Sequence, residues 1–94
     1  MQHNTADKDL AYNSLLSSPR WQDKRNLIIR RDAFKCRACA STSTLQVHHR
    51  QYHIDMKTGF KKNPWDYSNK YLVTLCKECH QAGHKLYNIP FFKH

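Results

Sequence analysis

Apolar positions along the chain fall in short, separated groups. Trp21 and Ile28 are seven residues apart, with Leu27 and Ile29 beside them, a spacing that gathers them on one helix face. Ser18 is a good N-cap and Pro19 suits the first helical position. The pattern therefore predicts a helix over about 19–32, with Arg20, Lys24 and Arg31 lining up beside the apolar face. Upstream, Leu10, Ala11 and Leu15 give residues 7–16 helical character, Ser17-Ser18-Pro19 breaks it, and residues 1–6 read as a tail. "FKCRACA" (34–40) reads as a knuckle. "TLQVHH" (44–49) and "YLVTLC" (71–76) are rich in β-branched and apolar residues and predict two short strands. "KECHQAGHKLY" (77–87) predicts a second long helix. Residues 50–70 read as a long polar loop containing Gly59 and Pro64, with "NPWDY" as a one-turn anchor. Loops of that length are usually functional or disordered. The closing "NIPFFKH" tucks Phe91 and Phe92 back toward the core. Residues 1–18 thus form a tail and short helix, and residues 19–94 one domain.

Ninety-four residues, 39% of them hydrophobic, make a marginal core, since a chain of this size buries roughly 60–65% of its unfolded surface. Such domains usually need a staple. The apolar runs are too short to span a membrane, and the first residues lack the apolar stretch of a signal peptide. Both features point to a cytoplasmic protein, where paired cysteines are more often metal ligands than disulfides. Sixteen Lys and Arg against seven Asp and Glu leave a net charge of +9, which suggests a polyanionic partner. No basic amphipathic face suggests a membrane.

The four cysteines supply the staple. Cys36 with Cys39, and Cys76 with Cys79, are two C-x-x-C pairs, the usual arrangement for a tetrahedral zinc site. Two intervening residues let a tight turn aim both sulfurs at one cation. Residues 40–75 separate the pairs, longer than the ~15–20 of a simple zinc ribbon. That insert holds "LQVHHRQYH", with three of the seven histidines. His80 follows the last cysteine directly, and His84 lies one helical turn later on the same face. With four sulfurs already on the zinc, the histidines belong to a second site or to none.

C-x-x-C, "LQVHH", "NPWDY" and "LVTLCKECHQAGH", preceded by "W..KR..II.RD.FKC..C", together resemble the HNH endonucleases, the zinc-stapled branch of the ββα-metal nucleases, over roughly residues 20–84. The resemblance implies an α+β fold in which N-terminal helices pack on a short β-hairpin and a C-terminal helix. It also implies a divalent metal held over the scissile phosphate. Position by position, His49 matches the general base, His48 the metal ligand before it and His80 the ligand after the last cysteine. His84 matches an additional ligand present in some members. The family's middle Asn is not matched: Tyr71 stands there, and Asn69 lies two residues earlier.

The chemistry needs these residue types on its own account. A neutral imidazole, with an ordinary pKa of ~6.5, suits a base near neutral pH. A divalent cation neutralises charge on the leaving oxygen. Nitrogen ligands tolerate zinc, nickel, manganese or magnesium. Seven of the 16 basic residues fall between Arg20 and Arg37, and five more, Arg50, Lys57, Lys61, Lys62 and Lys70, fall in and beside the loop that follows His49. These five are the candidate phosphate contacts. The sequence thus predicts a monomeric, metal-dependent DNA nuclease that nicks with weak sequence specificity, alone or beside a larger protein. Its closest rival is a non-catalytic nucleic-acid-binding zinc module.

Overall fold

The structure is a computed structural model that describes residues 11–86 and 89–93. Residues 11–15 are helical. A break over 16–18 leads into helix α1, Pro19–Arg31. Ser18 is extended, and its Oγ accepts from the Arg20 N–H at 3.2 Å. At the other end Asp32 is the C-cap, followed by Ala33 and Phe34 at φ 58° and 59°. Phe34 N–H donates to Ile29 O at 2.9 Å and Ala33 N–H to Arg30 O at 3.0 Å. This is the paired closure that ends many helices, usually with glycine at the left-handed position. Trp21, Ile28 and Ile29 form the buried face as the spacing predicts, whereas Leu27 is 48% exposed.

Strand β1 (Leu45–His49) pairs antiparallel with β3 (Leu72–Cys76), in a register that sets His49 opposite Leu72 and Leu45 opposite Cys76. Helix α2 (Lys77–Leu86) follows β3 directly. The predicted helix reached residue 87, which lies outside the described residues. Val47, His49, Leu72, Thr74 and Cys76 point to the buried side of the hairpin, and α1 packs against both strands. The core is Trp21, Ile28, Ile29, Val47, Tyr67 and Leu72, with Leu16, Leu45, Tyr52 and Trp65 against it. Tyr12 is also buried, so the short N-terminal helix contributes to the interior of the unit that begins at residue 19.

The predicted polar loop is more ordered than its composition suggests. Within it lies a three-residue strand, β2 (Tyr52–Ile54), paired in parallel with β4 (Phe91–Lys93). Two single 3₁₀ turns follow, Pro64–Asp66 and Asn69–Tyr71. The "NPWDY" stretch is an anchor as read: Pro64 and Tyr67 are buried, and Tyr67 Oη accepts from His53 N–H at 3.0 Å. Phe91 and Phe92 extend the small sheet but stay about half exposed, at 52% and 46%, because they pair at its edge instead of entering the core. The described residues form a small α+β unit with three helices and two two-stranded sheets. Among the described residues no helix is long and apolar enough to cross a membrane.

Candidate functional site

The two cysteine pairs meet at the end of the β1–β3 hairpin. One sulfur from each of Cys36, Cys39, Cys76 and Cys79 lies within 4.8 Å of the others, and Cys39 Sγ and Cys76 Sγ are 3.6 Å apart. Four sulfurs about 2.3 Å from one zinc stand about 3.8 Å apart, so the set fits a tetrahedral ion. Local sequence makes the geometry. Cys36 N–H donates to Ser41 O at 2.8 Å and Ala40 N–H to Cys36 O at 2.9 Å, with Ala40 at φ 65°. That closes a tight knuckle. Ala38 N–H points at Cys36 Sγ (3.4 Å) and Cys79 N–H at Cys76 Sγ (3.5 Å), so backbone donors stabilise thiolate charge at both pairs. Burial raises the Cys36 thiol, and backbone N–H groups of Cys76, Cys39 and Ala38 outweigh it and bring the pKa down. Cys79 moves the other way, raised by hydrogen bonds shared with the Cys76, Cys39 and Cys36 thiols. Four thiols this close cannot all ionise alone, and a divalent cation resolves the conflict. The four cysteines are thus able to bind a metal such as zinc.

His48 lies on β1 and points away from the core, toward α2. There its ring meets that of His80, with centroids 4.9 Å apart and planes at 75°. His80 Nδ1 is 2.6 Å from Gln46 Oε1. The amide oxygen accepts only, so Nδ1 carries the proton. Gln46, two residues before His48 on the same strand face, had no part in the sequence reading. The only signal for it was that two-residue offset. The side chain of His84 lies outside the described residues.

His49 occupies the opposite face of β1, as adjacent strand residues must. It is 4% exposed. Its ring stacks on Trp21 (5.1 Å) and Tyr52 (5.4 Å) and meets Tyr67 edge-on (4.9 Å). Nε2 lies 3.1 Å from Pro64 O. A carbonyl accepts only, so Nε2 is the protonated nitrogen and Nδ1 holds the lone pair. Burial lowers the His49 pKa to about 4, against a smaller upward pull from the Pro64 carbonyl and with Lys61 and His80 adding to the fall. His49 and His80 both line a cavity of about 220 Å³ with Gln46, Arg25 and Tyr12.

Pro64 O holds the His49 ring, and Tyr71 O accepts from Arg50 N–H at 2.7 Å, closing the loop base. Asn69 contributes its carbonyl, which accepts from Arg31.

The five basic candidates separate. Arg50 and Lys70 line one cleft with Arg31 and Arg37. Lys57 and Lys62 line another, beside His53 and Asp55. Lys61 sits over the rings of Tyr52 (4.3 Å), Tyr12 (4.7 Å) and Phe91 (5.6 Å), a cation–π clamp joining three segments. Several arginines near α1 are structural. Arg25 donates to Leu45 O. Arg31 donates to both carboxylate oxygens of Asp32 and to Leu72 O. Asp32 is the other residue the sequence hid. It is buried and also accepts from Arg37 (3.0 Å) and Thr74 N–H (2.9 Å). Burial alone would raise its pKa, and the hydrogen bonds from Arg31, Thr74 and Arg37 hold it well below the usual carboxylate range. Its signal in the sequence was an acid at a helix C-terminus, where the dipole disfavours one.

No protein-family model, curated protein or solved structure matches the chain.

Proposed function

We propose that this protein is a metal-dependent endonuclease of the HNH type that hydrolyses DNA phosphodiester bonds, nicking with weak sequence specificity. The cysteine cluster takes structural zinc, and His48 with His80 takes a second divalent cation, magnesium, manganese, nickel or zinc. The observation that carries this reading is the meeting of His48 and His80, from a strand and a helix far apart in sequence, with His80 the next residue after Cys79 of the cysteine cluster. Two imidazoles bound through nitrogen at about 2.1 Å to one ion place their centroids roughly 4.6–5.3 Å apart at angles from octahedral to tetrahedral. The observed 4.9 Å falls inside that window. Gln46 accepts from Nδ1–H of His80, which makes Nε2 the coordinating atom and orients the ring, the usual outer partner of a metal-bound histidine. His84, one turn further along α2, is the third candidate ligand. Such a cation, when bound, withdraws charge from a phosphate oxygen and from the leaving oxygen.

The chain's own residues do the rest. Pro64 O fixes the Nε2–H tautomer of His49 and leaves Nδ1 to take a proton from water. A pKa near 4 keeps the ring neutral across the physiological range and makes it a weaker base than an ordinary imidazole. Arg50, next along the chain, supplies positive charge on the His48 side.

One observation favours the second reading, a non-catalytic nucleic-acid-binding zinc module. His49 lies between two aromatic planes at 4% exposure, an environment equally suited to a core histidine. A supercoiled-plasmid assay across magnesium, manganese, nickel and zinc separates the two, with zinc content measured throughout. The nuclease reading expects open-circle product from wild type. It expects at least about a hundredfold slower nicking from His48→Ala and His49→Ala with zinc content unchanged, in line with loss of a metal ligand or a general base. Wild type that binds DNA without nicking under any metal refutes it and leaves the binding module.

A further inference from the structure

Basic residues gather around β3, several of them held by bonds to its backbone. Arg37 N–H donates to Thr74 O at 2.9 Å, and Arg50 N–H donates to Tyr71 O at 2.7 Å. Arg31 reaches the Leu72 carbonyl at 2.7 Å. Lys70 rests over the Tyr71 ring, 5.0 Å from its centroid. These four basic residues, with Leu72 and Val73, line a cleft of about 270 Å³, and none of its lining residues is acidic. Arg37 and Arg50 also line the adjoining cleft of about 560 Å³ that contains His48 and Gly83. The two clefts share Arg37, Arg50 and Val73, so they run into one another.

The acid that Arg31 and Arg37 hold, Asp32, is buried beneath them. Arg31 spends its donors on Asp32 and on backbone carbonyls. Arg37 gives Asp32 one contact and keeps its side chain 60% exposed. Arg37, Arg50 and Lys70 therefore present a surplus of positive charge to solvent along a path that ends at His48. On the α2 wall, a Cβ built on Gly83 would meet nothing within 4 Å, so this end of the path is open.

We infer that Lys70, Arg50 and Arg37 form a track for the phosphates of one DNA strand, leading past Val73 of β3 to His48. Arg37, a residue inside the metal knuckle, is a phosphate contact on that track. Lys57 and Lys62 open on a separate cleft, and Lys61 is spent on the aromatic clamp, so all three lie off it. That the polyanion is DNA rests on the nuclease reading. The position of the track does not.

The test is fluorescence anisotropy of a short labelled DNA duplex with the zinc-loaded protein, without added catalytic metal, across a salt series. Arg37→Ala, Arg50→Ala and Lys70→Ala should each weaken binding about 3–10-fold and reduce the steepness of the log–log salt slope by about 0.9. Lys57→Ala and Lys62→Ala should change affinity less than about twofold. Arg37 also supports Asp32, so Gly83→Glu provides a variant outside that network. It should weaken binding at least about tenfold with unchanged circular dichroism and zinc content. Equal losses from the Lys57 and Lys62 variants, or wild-type affinity in the Arg37, Arg50 and Gly83 variants, overturn the track. Nicking by wild type with those variants binding normally would leave the nuclease reading intact without the track. Binding along the track without nicking under any metal would do the reverse.

Discussion

His49 shows how one side chain can be read in two ways. Sequence resemblance makes it a base, and its surroundings make it a neutral ring packed among Trp21, Tyr52 and Tyr67 and held through Nε2 by Pro64 O. Both roles need the ring uncharged, and that has a thermodynamic consequence. Its pKa falls from 6.5 to about 4 in the folded protein, chiefly through burial. The unfolded chain then binds the proton more readily. The stabilisation is complete above about pH 6.5 and is lost as pH falls toward 4, at about 1.4 kcal/mol per pH unit for one proton. His49→Gln keeps a donor for Pro64 O but does not titrate. We expect it to be less stable than wild type at pH 7, yet to lose about 2 kcal/mol less between pH 7 and pH 5. Denaturant unfolding of both proteins at the two pH values measures the difference, and thiolate protonation at the cysteine cluster cancels in it. Parallel losses would mean that the ring is not buried in its neutral form.

Among the elements, α1 shows the strongest local control and one local compromise. Ser18, Pro19 and the Trp21/Ile28 spacing start and orient the helix. Its end uses Ala33 at φ 58°, a conformation that costs an L side chain free energy and glycine almost nothing. Ala33 is exposed, so Ala33→Gly should stabilise the protein by about 1 kcal/mol. A shift of the denaturation midpoint to higher denaturant at constant slope is the expected result, and a shift to lower denaturant would show that the closing turn relaxes without strain. The element that follows, the knuckle, covers the outer edge of β3 through Arg37 N–H, and the helix-end carboxylate of Asp32 covers it through Thr74 N–H. A two-stranded sheet would otherwise leave that edge open to pairing with another chain. Asp32 thus links helix end, knuckle and strand through Arg31, Arg37 and Thr74.

For the whole molecule, a metal bound at the cysteine cluster would supply much of the stability that so small a core lacks. Zinc bound by four thiolates contributes ~10–16 kcal/mol, comparable to or above the 5–15 kcal/mol total of an ordinary domain. The cysteines bring the knuckle to the β3–α2 junction, so an ion bound there would tie α1, the hairpin and α2 to one another. A strong chelator should therefore abolish the cooperative unfolding transition and most of the helical circular dichroism, and restored zinc should return both. An unchanged spectrum after verified metal removal would assign the staple to the aromatic core instead.

Local chemistry alone was enough to specify α1, both strands of the hairpin, α2, the "NPWDY" anchor and the two cysteine pairs. Caps, apolar spacing, β-branched runs and C-x-x-C turns all act within a few residues, so they can be read from the chain. Tertiary structure decided what depends on distant neighbours. The parallel pairing of Tyr52–Ile54 with Phe91–Lys93 has no local signal, because three-residue strands gain their order only from each other. The part played by Asp32 exists only once Arg31, Arg37 and Thr74 surround it. The division between the two adjacent histidines belongs to the same class. A strand turns successive side chains to opposite faces, so register against β3 and the packing of α1 and α2 sent His48 to His80 and His49 into the aromatic interior.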